Sequence, residues 1–172
     1  MRPNMMVKIN IILSLFLLSV HLTAQTGTIY LNDKNASNRY PTIQDAINSA
    51  YPGDTVFIEK GTYSLSRKLS TIRNGTKEQP IVISGASQTD RPLIIAKGRV
   101  LQTNHAWVVV QNLRFNGSFG EDDIIQLNDG SDYFLLDNCE VFFGVRDGVQ
   151  VNSANNVVIS NCSIHHMLRG SF

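Results

Sequence analysis

VVISNC, at residues 157–162, repeats the shape of FLLDNC at 134–139: three apolar residues, one polar residue, then Asn-Cys. The two copies lie 23 positions apart. Setting Asn112 beside Asn138 and Asn161 brings VVVQ (108–111) into the same register. Two positions beyond each Asn-X pair come Phe115, Val141 and Ile164. A second register, shifted by 24, lays DDIIQLN (122–128) on RDGVQVN (146–152), so that Gln126 meets Gln150 and Asn128 meets Asn152. Arg146 meets Arg169 another 23 residues on. Repeats of this length, made only of short β-branched runs without helices between them, predict a parallel β-solenoid. With three strands to a turn, the expected fold is all-β: a right-handed parallel β-helix.

Stacking explains why the letters repeat. Successive rungs sit about 4.8 Å apart, so equivalent residues lie above one another. Positions facing inward must be apolar: Val108, Phe134 and Val157 form one expected stack, and Val110, Leu136 and Ile159 another. Between strands the chain must turn sharply, and Asn tolerates the left-handed backbone region better than most residues. Its amide can also bond the amide above or below. Asn112, Asn138 and Asn161 are therefore read as a structural ladder. Cys139 and Cys162 occupy one inward position on consecutive rungs. Direct stacking spaces them slightly wider than a disulfide prefers, while an exported chain would permit the bond, so both states remain open.

The 172 residues suggest one domain. A net charge of +1 and the lack of a basic run give no footprint for nucleic acid. The two cysteines fit no zinc spacing. Residues 1–24 combine Arg2 and Lys8, the apolar run INIILSLFLLSV (9–20) and a small exit residue, Ala24. That is the plan of a secretory signal peptide, and the run is shorter than the roughly 18 residues of a membrane span. The expectation is a secreted chain, extracellular or periplasmic, that holds no membrane segment after cleavage. PTIQDAINSA (41–50) carries apolar residues at 43, 46, 47 and 50, one helical face. It is expected to cap the N-terminal end of the solenoid, whose exposed core needs a cover. Domain 25–172 is then expected to be the N-terminal part of a longer β-helix, because RGSF (169–172) halts within a rung with no cap; a truncated or partner-capped small solenoid is the alternative.

IQDAINSAYPGDTVFIEKGTY (43–63) followed by NGTKEQPIVISG (74–85) resembles the start of exported pectin-lyase-like β-helix proteins. The nearest resemblance is to the Ca²⁺-associated polysaccharide lyases: pectate lyases of the Lys-base type, and alginate and chondroitin B lyases. It covers residues 40–172 and speaks for fold more than for substrate. The resemblance implies β-elimination on the uronic acid units of an acidic polysaccharide, with Ca²⁺ and acidic side chains neutralising the carboxylate and a base removing the C5 proton. It also implies a groove along one parallel sheet and its turns. A monomer is expected.

That groove is assigned to the sheet containing DIIQLN and DGVQVN. Alternation points Ile125, Leu127, Val149 and Val151 inward and Gln126, Asn128, Gln150 and Asn152 outward. The four amides are candidate substrate-binding groups, or else a solvated ladder that keeps the face soluble. Asp122, Asp123 and Asp147 are weak Ca²⁺-ligand candidates, with ordinary turn aspartates as the alternative. Arg146, Arg169 and His165 are the weak catalytic candidates. Arg suits uronate binding better than base chemistry, and His165 has no partner visible in sequence. No lysine occurs in the last three rungs, so the expected Lys base is missing from this stretch. The reading is a secreted lyase acting on pectate or a related polyuronate. The alternatives are a non-catalytic glycan-binding solenoid and a β-helix glycoside hydrolase. The hydrolase needs two opposed carboxylates, which no strand here supplies.

Overall fold

The structure is a computed structural model that describes residues 28–31 and 39–168. Residues 1–24 and Arg169, read above as a signal peptide and a catalytic candidate, lie outside the described residues. Two short strands, β1 (Thr28–Leu31) and β2 (Arg39–Tyr40), precede α1 (Ile43–Ser49), the one helix among the described residues. Four rungs of three strands follow. The first is β3 (Thr55–Ile58), β4 (Thr62–Ser64) and β5 (Leu69–Ser70), the second β6 (Ile81–Gly85), β7 (Leu93–Ile95) and β8 (Leu101–Thr103). The third is β9 (Val108–Gln111), β10 (Arg114–Asn116) and β11 (Ile125–Leu127), the fourth β12 (Leu135–Asp137), β13 (Glu140–Gly144) and β14 (Val149–Val151). β15 (Val158–Ser160) and β16 (Ser163–Met167) begin a fifth.

Every strand pairs in parallel with its equivalent in the neighbouring rung. Three sheets result. Sheet A runs β15-β12-β9-β6-β3-β1-β2, sheet B β16-β13-β10-β7-β4, and sheet C β14-β11-β8-β5. The chain is a parallel β-helix. Its registers are those of the sequence repeat: Gln126 pairs with Gln150, Phe115 with Val141, and Leu136 with Ile159.

The core is the stack of inward residues. Val108, Phe134, Val110 and Leu136 are all buried, and each such side chain contributes about 1.5–3 kcal/mol relative to exposure. On the last described strand of each sheet the inward positions pack on one side only. Val151 is 44% and Ile159 42% exposed, where alternation alone placed them in the core.

Helix α1 is shorter than the apolar periodicity of 41–50 suggests. Its first turn is set by Thr42, whose hydroxyl accepts from the Asp45 amide at 3.1 Å. Thr42 is thus the N-cap and Pro41 lies before it. Ile43, Ala46 and Ile47 are buried against the first rung.

The turns carry the strain of the coil. Asn112, Asn138 and Asn161 have φ of 59°, 47° and 52°, the left-handed region between sheets A and B. Asn138 donates to the side-chain carbonyl of Asn112 at 2.8 Å. The ladder stops there: the Asn161 amide donates instead to Asp137 Oδ1 at 2.8 Å, and the Asn112 amide to Ser84 Oγ at 3.3 Å. An ionised carboxylate is a stronger acceptor than an amide carbonyl, so Asp137 displaces Asn138 as the partner of Asn161. Both cysteines are free thiols, Cys139 buried and Cys162 partly exposed, with the Cys139 amide 3.4 Å from Cys162 Sγ. Burial pushes the Cys139 thiol up to about 12.

Candidate functional site

Sheet C presents a polar outer face. Gln126 donates to Gln150 at 2.8 Å across adjacent rungs. Asn128 donates to Asn104 at 3.3 Å, and Asn152 to Asn128 at 3.4 Å. Gln102 stands in register beneath Gln126, and Ser70 beneath Gln102. The face is thus longer than Gln126, Asn128, Gln150 and Asn152 alone. Gln102 and Asn104 were legible in the sequence, since LQTN (101–104) precedes IQLN (125–128) by the same 24 residues.

The turn between sheets B and C borders this face with charge. Asp123 is buried, and its Oδ1 accepts from the Asp147 amide at 3.2 Å. Two guanidiniums flank it: Arg146 Nε lies 3.5 Å from Oδ1, and Arg99 Nη2 lies 3.8 Å from Oδ2. Arg99 also reaches the exposed Asp122 at 3.4 Å. Asp123 Oδ2, Arg99 Nε and Arg146 Nε make no hydrogen bond although all three are buried, so the triad is held by charge rather than by aligned donors. Close backbone packing builds this corner. A Cβ on Gly120 would come within 2.1 Å of the Gly98 amide nitrogen, and Gly98 itself has φ +91°.

Ca²⁺ takes six to eight oxygens, several of them ionised. Asp123 already faces two cations and a backbone amide, and Asp122 shares Arg99. In this arrangement the carboxylates of Asp122 and Asp123 are therefore turned to guanidiniums rather than to a dication. Among the described residues no group of three or more His, Cys, Asp or Glu is placed to hold a metal. The sequence reading missed Arg99. Its charge becomes meaningful only once the coil sets it one rung from Asp123.

On the far side of sheet C, Trp107 and Tyr133 stack in parallel, with centroids 4.0 Å apart and planes within 3°. Both have left-handed backbones, φ 57° and 56°. Their spacing of 26 equals that of Asn112 and Asn138, which is the signal that identifies them.

His165 lies on sheet B, away from the sheet C face. Its Nε2 is 3.0 Å from Glu140 Oε1, while Arg114 Nε bonds Glu140 Oε2 at 2.5 Å. Burial works against the charge on Glu140, but the bonds from Arg114 and His165 prevail and hold its carboxyl below the usual range. The structure thus gives His165 a partner that its sequence neighbourhood does not reveal. Glu140 and Arg114 come from other rungs.

No family model matches the sequence, and no curated protein matches it. Among solved structures, an alginate lyase from Paenibacillus sp. str. FPU-7 overlays with a TM-score of 0.51 at 19% identity, over 71% of this chain and 54% of that one. Pectate lyase Pel9A (TM-score 0.47, 14% identity, 80% of this chain and 47% of that one) and a rhamnogalacturonan lyase (0.42, 13%, 80% and 51%) overlay less closely, and neither bears on the argument. The chain spans about half the length of each of these structures. No helix among the described residues is long and apolar enough to cross a membrane. What the alginate lyase shares with this chain is its fold, a parallel β-helix.

Proposed function

We propose that the chain is part of a secreted lyase that binds an acidic polysaccharide along sheet C and cleaves it by β-elimination, with pectate or a related polyuronate as substrate. The observation that carries this reading is the face itself. Gln102, Gln126 and Gln150 run beside Asn104, Asn128 and Asn152 across three rungs, next to a rim of Arg99 and Arg146. Amides exchange hydrogen bonds with sugar hydroxyls, and a guanidinium suits a uronate carboxylate. Asp123 engages Arg146 at Nε, and the side chain is 40% exposed, which leaves its terminal nitrogens for such a partner. A guanidinium on that carboxylate would favour loss of the neighbouring C5 proton. The fold shared with an alginate lyase supports the reading. Ca²⁺, implied by the sequence resemblance, has no role in it.

A second reading is favoured by one observation. The outward groups of sheet C are amides and Ser70, none of which removes a proton at neutral pH, so the chain would hold a glycan without cutting it. One experiment separates the two. The secreted chain is incubated with pectate and with alginate, and both retention and the absorbance of unsaturated product are followed. Product formation supports the lyase, retention without product supports the binding module, and failure of both overturns the assignment of the face.

A further inference from the structure

We infer that His165 and His166, with Glu140 orienting His165, form a binding site for a divalent transition-metal ion of borderline softness, with Zn²⁺ as the representative, on the outer face of sheet B. The site is independent of the sheet C face and of the function proposed for it.

Successive side chains on a strand point to opposite faces, so adjacent histidines ordinarily do not meet. These two do. His166 has φ 55°, the rings cross at 75°, and the two Nδ1 atoms lie 2.5 Å apart. Phe143, one rung earlier, has φ 57°. The bend therefore belongs to the coil, and the pair of imidazoles belongs to this rung.

Glu140 fixes which nitrogen of His165 is free. Its carboxylate accepts Arg114 on one oxygen and faces His165 Nε2 with the other. An ionised carboxylate can only accept, so Nε2 carries the proton and Nδ1 of the neutral ring carries a lone pair. That lone pair faces Nδ1 of His166, which must then hold the intervening proton. Moving this proton to the other nitrogen of the exposed His166 ring leaves two imidazole lone pairs converging on one point. Zn²⁺ binds imidazole nitrogen at about 2.0–2.1 Å, so the pair would open to roughly 3.3 Å by rotation of the His166 ring.

The surroundings match a metal-ligating histidine. A carboxylate on the remote ring nitrogen is the usual support for such a ligand. Phe142 stacks on the His165 ring at 5.5 Å and 19°, and the Arg114 guanidinium lies 5.4 Å from the Phe142 centroid. These contacts hold His165 while His166 stays exposed. No third His, Cys, Asp or Glu joins as a ligand among the described residues. The remaining positions fall to water or to an oxygen of a bound ligand.

The test is a Zn²⁺ titration of the tag-free full chain, followed by calorimetry and by imidazole nitrogen NMR. One equivalent is expected to bind and to shift the Nδ1 resonances of both His165 and His166. His166→Ala abolishes that event with an unchanged far-UV spectrum, and Glu140→Gln weakens it about 10-fold or more. If His166→Ala does not fold, the wild-type resonances alone decide. Absence of saturable binding by the wild type, Zn²⁺ shifts confined to other groups, or unchanged binding by a folded His166→Ala overturns the site.

Discussion

Asn138 donates its side-chain amide to the side-chain carbonyl of Asn112 at 2.8 Å, one rung away, and both residues hold a left-handed backbone. The bond and the backbone conformation act together. Replacing Asn138 with Ala removes the bond and places a side chain with no local hydrogen bonding at positive φ, which costs roughly 1–2 kcal/mol. Glycine meets no such backbone penalty. Thermal melts should therefore rank wild type above Asn138→Gly and Asn138→Gly above Asn138→Ala. Equal melting of the two variants would show that the backbone conformation does not matter there.

Asp123 joins Arg99 and Arg146 at the corner of sheet C. Its removal leaves Arg99 with the exposed Asp122 alone and the 40% exposed Arg146 without its counter-charge, which costs about 1–2 kcal/mol once solvent screening of Arg146 is counted. Asp123→Ala is expected to lower Tm by roughly 2–8 °C, the range for a chain of this size. An unchanged melt would mean that water already screens the triad.

Gln126 and Gln150 bond each other on an exposed sheet, and their loss touches no core. Gln126→Ala with Gln150→Ala should leave Tm nearly unchanged. If sheet C holds the substrate, kcat/KM or retention on polyuronate falls about 3–10-fold, the worth of one or two neutral hydrogen bonds. Unaltered kinetics and retention would return these amides to a purely solvating role.

Cys139 is enclosed and its thiol stays protonated near neutral pH, because burial pushes it up to about 12. Cys162 is partly exposed. Alkylation of the native chain should add no more than one label by mass, at Cys162, and denaturant should admit the second. Rapid double labelling of the native chain would contradict the packing around Cys139.

Bonds from Ser160 and Asn161 hold the Asp137 carboxyl below its ordinary value. A depressed carboxyl contributes stability above its unfolded pKa, about 3.9 for Asp, and that contribution is lost as pH falls through the folded value. The Tm advantage of wild type over Asp137→Asn is expected at pH 7 and should shrink below about pH 4. An advantage that is constant across that window would assign the effect to shape rather than charge.

The rungs were legible because a solenoid writes its contacts as a period. VVISNC and FLLDNC stack because equal spacing in sequence becomes equal position in space. The polar face of sheet C was legible for the same reason, and LQTN (101–104) extends it by one rung. Contacts that cross registers were not legible. Arg146 reaches Asp123 by a lateral step between unlike positions. Asn161 prefers Asp137 to its own equivalent because charge outbids likeness. His165 and His166 meet because of a backbone angle that no residue type announces. Repetition therefore revealed the scaffold, while the chemistry sits where the repetition is broken.

The parallel register has a consequence for inheritance. Because Gln102, Gln126 and Gln150 are copies at one step of 24, duplicating a whole rung within the gene lengthens the polar face and leaves every neighbour relation intact. Inserting a single codon within a strand turns the residues beyond it to the opposite side, and exchanges glutamine for valine along the core. A lineage built on this fold can gain or lose entire turns far more readily than single residues.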